Sequence, residues 1–208
     1  MFYMFRDPMQ ILLSVPAILL AIVLHELAHA VVAEKMGDPT PRSMGRITLN
    51  PLAHMDVLGL VAFLLIGFGW AKPVRINPNN FRNPKLGDIL TSVAGPVTNF
   101  LIALVTILIE AFIYNILPGI YNVLPGLIPV FEMIAYLNIA FGFLNLLPIP
   151  PLDGYHILKD LIGERYSHYF RMYERFSIIA FFVAIFFILP PVFRFAHTLF
   201  NQILHFFV

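Results

Sequence analysis

Leu24-His25-Glu26-Leu27-Ala28-His29 sits inside a run, Val15 to Val32, that is otherwise almost entirely apolar, and its reading decides the fold. On a helix, residues four apart share a face, so His25 and His29 can offer two imidazole nitrogens to one metal ion. Glu26 is turned about 100° from His25 around the axis. It can address water at the metal without being a ligand, the part that the His-Glu-x-x-His word gives its glutamate in zinc proteases. The bland alternative is a soluble buried helix whose histidines satisfy each other or the backbone. In hydrocarbon each ionisable centre costs about 2–3 kcal/mol even on lenient insertion scales, so three together need a compensating interaction, and metal ligation supplies one.

Composition favours the membrane setting. Of 208 residues, 59% are hydrophobic and 12% charged, against about a quarter charged in soluble domains; the mean hydropathy is +0.82. A formal net charge of +1 gives no reason to expect a nucleic-acid partner. The chain has no cysteine, which excludes disulfides, thiolate ligands and a cysteine nucleophile and leaves His, Asp, Glu or Asn to bind zinc. Arg6, the apolar run and Ala28-His29-Ala30 imitate a signal peptide. Cleavage there would destroy the motif, so the segment is expected to be a retained helix.

Outward from this helix, the pattern predicts an all-α polytopic membrane protein. It should have about four to five membrane helices, a re-entrant segment and room for a small β-hairpin. The first span covers about Met9 to Val32 and ends at Glu34, Lys35, Gly37 and Pro39. Val57 to Trp70 is apolar but only about 14 residues long, too short for a comfortable crossing and suited to re-entry. Two β-like patches flank it, Arg46 to Leu49 and Pro73 to Ile76, and could pair. Lys35, Arg42 and Arg46 precede the short segment and Lys72, Arg75, Arg82 and Lys85 follow it, which places both flanks on the cytoplasmic side. Further spans are expected over about Ile89–Leu117 and Val130–Leu147, joined by an uncharged loop from Pro118 to Pro129. The C-terminal part, 165–208, reads as anchoring helices. There Arg194, His197, Thr198, Asn201, Gln202 and His205 form a narrow polar stripe, for which an in-plane or steeply tilted helix is expected.

A second informative stretch is Asn145-Leu146-Leu147-Pro148-Ile149-Pro150-Pro151-Leu152-Asp153-Gly154. Three prolines in four residues break a helix at membrane depth, which is tolerated only where backbone is buried by protein or lines a wet cavity. Asp153 lies just past the break and has few inexpensive partners there besides a metal. Two histidines and a carboxylate leave zinc a fourth position for water. The competing reading of Asp153 is an N-cap for a helix over 154–162.

Taken in order, His25-Glu26-Leu27-Ala28-His29, Ala94-Gly95-Pro96-Val97-Thr98-Asn99 and the Asn145 to Gly154 stretch resemble the three signatures of the site-2 protease family, a likeness covering about residues 20–160. The resemblance implies an intramembrane zinc metalloendopeptidase that cuts transmembrane segments of other membrane proteins. It implies His25, His29 and Asp153 as ligands of one Zn2+ and Glu26 as general base. Asn145 corresponds to a family asparagine near the metal, and Asn99 to a positioning or oxyanion residue. The chain shows no room for the PDZ or CBS domains of many relatives, and 1–208 reads as a single domain. It is expected in the cell membrane as a multi-pass protein with its active site nearer the cytoplasm.

Two other classes fit the same polar residues: a transporter that binds an ion through His25, Glu26, His29 and Asp153, and an inactive scaffold that captures membrane helices. No inverted repeat supports the first, and intact Glu26 argues against the second. His54 and Asp56 are expected in loop contacts, His156 is a lesser rival to Asp153, and Glu110 is expected to face headgroups.

Overall fold

The structure is a computed structural model that describes residues 8–66, 71–117, 119–124, 126–163 and 166–207. Arg6, Glu164, Arg165 and the 67–70 end of the short apolar segment lie outside these. Among the described residues four helices are long and apolar enough to cross a membrane: Ile11–Met36, Pro84–Ile116, Leu127–Asn145 and Ser177–Phe207. The first belongs to α1 (Pro8–Met36), which carries Pro16 internally. Three short helices follow, α2 (Thr40–Ser43), α3 (Pro51–His54) and α4 (Val57–Ile66). Next comes α5 (Pro84–Ile116), started by Asn83, whose side chain accepts from Leu86 N–H, with Pro84 at the first helical position. Its 33 residues extend about 50 Å, longer than a hydrocarbon core of about 30 Å. A short α6 (Ile120–Val123) leads to α7 (Leu127–Asn145), and α8 (Asp153–Ile162) follows the proline break. Then α9 (Ser167–Arg175) precedes α10 (Ser177–Val183), a π-helical turn (Ala184–Ile188) and α11 (Leu189–Phe207).

The helices α1, α5 and α7 pack mutually, and α11 lies against α7 and α5. Small residues let their backbones approach: Ala17, Ala103, Ala135, Ala140 and Ala196 are buried between them with Ile107 and Phe200. The outer face of α5 leaves Leu101, Val105, Ile109 and Phe112 exposed, as a lipid-facing surface requires.

The two β-like patches, which could have paired, do not pair with each other. Arg46–Leu49 and Pro73–Ile76 make no ladder; among the described residues the extended pairing is a single antiparallel bridge, Met55 with Ala71. Lys72 N–H donates to His54 O beside it at 2.9 Å. This bridge settles the course of the short apolar segment. α4 has 10 residues, about 15 Å of helix, and the chain on its two sides meets at Met55 and Ala71. The segment therefore leaves and returns at one end of the bundle. Arg82 N–H donates to Met36 O at 3.0 Å and closes the same end.

Two other expectations are corrected. Glu110 is only 4% exposed, inside α5, and does not face headgroups. The C-terminal helix runs along the bundle instead of lying in the membrane plane: Phe195 meets Phe143 edge-on, Tyr136 meets Phe193 and His197, and Asn115 donates to Phe207 O near the far end of α5. Its polar stripe is largely exposed, with Thr198 donating to Arg194 O and Asn201 to His197 within the helix. The course is set by the opposite face, where Phe193, Ala196 and Phe200 are buried in the core, and periodicity alone does not show which face packs. Near that far end a cavity of about 320 Å³ is lined by Leu13, Glu132, Tyr136, His197 and Asn201.

Candidate metal centre

Four elements meet at the opposite end of the bundle. α1 presents His25 and His29 one turn apart, their rings edge-on with centroids 4.6 Å apart. Both are buried, at 8% and 6% exposure. Their Nε2 atoms lie 3.0 Å from each other, and Asp153 Oδ2, from the first residue of α8, lies 3.2 Å from one and 3.4 Å from the other. Ligands about 2.0–2.1 Å from a tetrahedral zinc stand roughly 3.4 Å apart, so these spacings fit the ion. Asp153 Oδ2 is buried without a hydrogen-bond donor of its own, which a cation would satisfy. A zinc ligand must be an ionised carboxylate, and this unsatisfied oxygen, facing both Nε2 atoms, is placed to act as one.

The helix α5 fixes both imidazoles from one stripe at four-residue spacing. Thr91 O accepts from His29 Nδ1–H at 2.7 Å. Asn99 Oδ1 accepts from His25 Nδ1–H at 2.7 Å. With Nδ1 protonated in each ring, both Nε2 lone pairs are left for a metal. Gly95 lies midway. A Cβ there would stand 2.5 Å from His25 Cε1 and 2.5 Å from His29 Nε2, so only glycine lets α5 cradle the rings. The Asn99 amide is itself held: its Nδ2 donates to Asn138 Oδ1 at 2.9 Å and to Ala21 O at 3.3 Å.

Asp153 reaches the site because Gly154 lets α8 begin against α7; a Cβ at Gly154 would meet Leu146 O at 2.2 Å. The N-cap reading of Asp153 fails, since Leu152 occupies that place and Asp153 points to the histidines. Glu26 is not among the converging ligand atoms. Its Oε2 accepts Val74 N–H at 3.0 Å. Asn145 ends α7 and donates to Phe141 O at 3.1 Å, not to the triad. His156 stays out as well, with Nδ1 4.0 Å from Asp88. His54 is fully buried with Nε2 2.8 Å from Thr48 O, and Asp56 receives Leu58 and Gly59 N–H at the start of α4. Both are loop contacts, as expected.

Three contributors escaped the sequence reading. Thr91 acts through a backbone carbonyl and Val74 through a backbone N–H, and neither leaves a side-chain signal. Asn138 did leave one: it is a fully buried amide in the middle of a mostly apolar helix.

Comparison with known proteins agrees with this geometry. The profile of peptidase family M50 matches residues 14–190. YwhC of Bacillus subtilis, named among zinc metalloproteases, is 38% identical over 80% of this chain and 76% of its own length. Zinc metalloprotease MJ0392 of Methanocaldococcus jannaschii is 25% identical over 71% of this chain, though the match spans only 34% of that longer protein. Rip2 of Mycolicibacterium smegmatis, also named among zinc metalloproteases, is 29% identical over 68% of this chain and 54% of its own length. No solved structure matches. With its three histidine and aspartate donors gathered between apolar helices, the chain belongs to peptidase family M50, the site-2 proteases, and is an integral membrane zinc metalloprotease.

Proposed function

We propose that the chain hydrolyses peptide bonds within transmembrane segments of other membrane proteins, with His25, His29 and Asp153 as the zinc ligands and Glu26 as the general base. The observation that carries the reading is the convergence of one donor atom from each of those three ligands within 4.8 Å, between helices long enough to span a bilayer. Zinc held by His25, His29 and Asp153 would supply Lewis acidity to the scissile carbonyl and to an attacking water at neutral pH. Glu26 takes the proton of the attacking water and hands it to the departing amine. Asn99 has both ends of its amide engaged, so it positions His25 and is not an oxyanion donor. Asn145 is kept as the asparagine near the metal; its bond to Phe141 O uses one Nδ2 hydrogen and leaves its amide oxygen available there. The whole chain acts as one membrane domain, a core over about 20–160 with anchoring helices over 165–208. Lys35, Arg42, Lys72, Arg75, Arg82 and Lys85 surround the metal end, which favours a cytoplasmic position for it in the cell membrane.

The test is cleavage of single-span substrates by the purified chain in liposomes, compared with Glu26→Gln. The variant keeps both imidazoles and should bind zinc fully while losing about 10²- to 10⁴-fold in rate. Loss of zinc would make Glu26 a ligand and overturn the assignment.

A further inference from the structure

We propose that Arg46 is a positioning residue for the general base, acting through a single peptide group, that between Pro73 and Val74; this rests on Glu26 being the base. Arg46 looked like a topology-setting surface cation, yet it is only 3% exposed. Among the described residues it pairs with no carboxylate. Its guanidinium is spent on backbone carbonyls: Nη1 donates to Ala53 O and, at 3.0 Å, to Lys72 O, while Nη2 donates to Pro73 O at 3.3 Å. A buried cation is tolerable only when so satisfied, and hydrogen bonds from a cation are about twice as strong as neutral ones.

The peptide group after Pro73 is one rigid plane. Its carbonyl oxygen is held by Arg46 and its N–H, on Val74, donates to Glu26 Oε2 at 3.0 Å. Rotation of that plane would remove the N–H from Glu26. Arg46 opposes the rotation, and by polarising the carbonyl it strengthens the N–H as a donor. Pro73 fixes its own φ and so removes a soft dihedral next to the plane. At the other end the fully buried Asp38 accepts Asn77 N–H at 2.7 Å and Asn80 Nδ2–H at 2.8 Å. Residues 72–77 thus form a strap pinned at both ends across Glu26. One carboxylate oxygen is locked, and the other is left to meet water. Arg46 touches neither zinc ligand nor substrate in this arrangement; its effect reaches the chemistry through the strap.

The experiment compares Arg46→Met, Arg46→Lys, Val74→Pro and the double variant Arg46→Met/Val74→Pro in the full, zinc-loaded chain, with kcat, KM and zinc content measured for each. Arg46→Met should lower kcat about 10- to 100-fold with KM and zinc content unchanged. Arg46→Lys, which offers a point charge in place of a fork, should restore part of it. The double variant should be no slower than Val74→Pro alone, because both remove the same N–H from Glu26. Losses that multiply, or a loss explained by KM or missing zinc, would overturn the proposal. Amide exchange needs no activity: at Val74 it should quicken at least about tenfold in Arg46→Met while Arg82, bonded to Met36 O, stays protected. Unchanged exchange at Val74 would show that Arg46 does not hold the plane. Full activity in Glu26→Gln would remove the base assignment instead, and the exchange result tells the two failures apart.

Discussion

Adding one methyl group at Gly95 should cost this protein its metal. The Cβ of Gly95→Ala would stand 2.5 Å from His29 Nε2 and 2.7 Å from His25 Nε2. Comfortable contact requires about 3.5–4.0 Å, so α5 and the rings must part by about 1 Å. Neither side can yield freely. Thr91 and Asn99, one turn before and one turn after Gly95 on the same helix, hold the two Nδ1 atoms at 2.7 Å. Parting by that amount stretches both bonds to about 3.7 Å, beyond hydrogen-bond range. Losing such outer partners typically costs 10- to 100-fold in metal affinity, or about 1.4–2.8 kcal/mol, and overpacking adds about 1–3 kcal/mol of destabilisation. Zinc dissociation constants measured by competition with a chromophoric chelator would show it. Gly142→Ala is the control: its Cβ meets the Phe100 ring at 2.7 Å, away from the imidazoles, and should lower Tm without changing zinc affinity. Zinc bound by Gly95→Ala within twofold of the parent would refute the cradle.

Asp153→Ala should weaken zinc by more than the roughly 100-fold upper end seen for outer partners; full occupancy by metal analysis would move the third-ligand role to His156 or Asn145. Cysteines placed singly at Arg42 and Arg82, in a chain with none of its own, should be labelled from the same side by an impermeant maleimide. Opposite labelling would contradict the Met36–Arg82 and Met55–Ala71 pairings. Asp160, pushed up to about 6 by burial and by the neighbouring Asp88 carboxylate, binds a proton in the folded state that the unfolded chain releases near 3.8. Stability should therefore fall as pH rises from about 4 to 6 and level off above. Asp160→Asn should flatten that slope and raise Tm at neutral pH; an unchanged thermal-melt profile over this window would deny the burial.

What sequence could show here was set by the range of each interaction. His25 and His29 were legible because helical spacing alone puts them on one face, and Asp153 because a carboxylate beside a membrane-depth break has few partners. Assembly across helices was less legible. The stripe Thr91, Gly95, Asn99 has the same four-residue spacing as the histidines, but a carbonyl and a missing side chain carry two of its three functions. Charged residues misled where their burial depended on distant chain. Arg46 and Glu110 were assigned to aqueous or headgroup surroundings, the default for isolated charges, and both are buried. Arg46 could be buried because the re-entrant segment returns the Lys72 and Pro73 carbonyls to it across 26 and 27 residues. A β ladder would have used those carbonyls, so the absent sheet and the buried cation have one cause. The backbone that would have been a strand is satisfied by a side chain, and the N–H it thereby leaves free is the one that reaches Glu26.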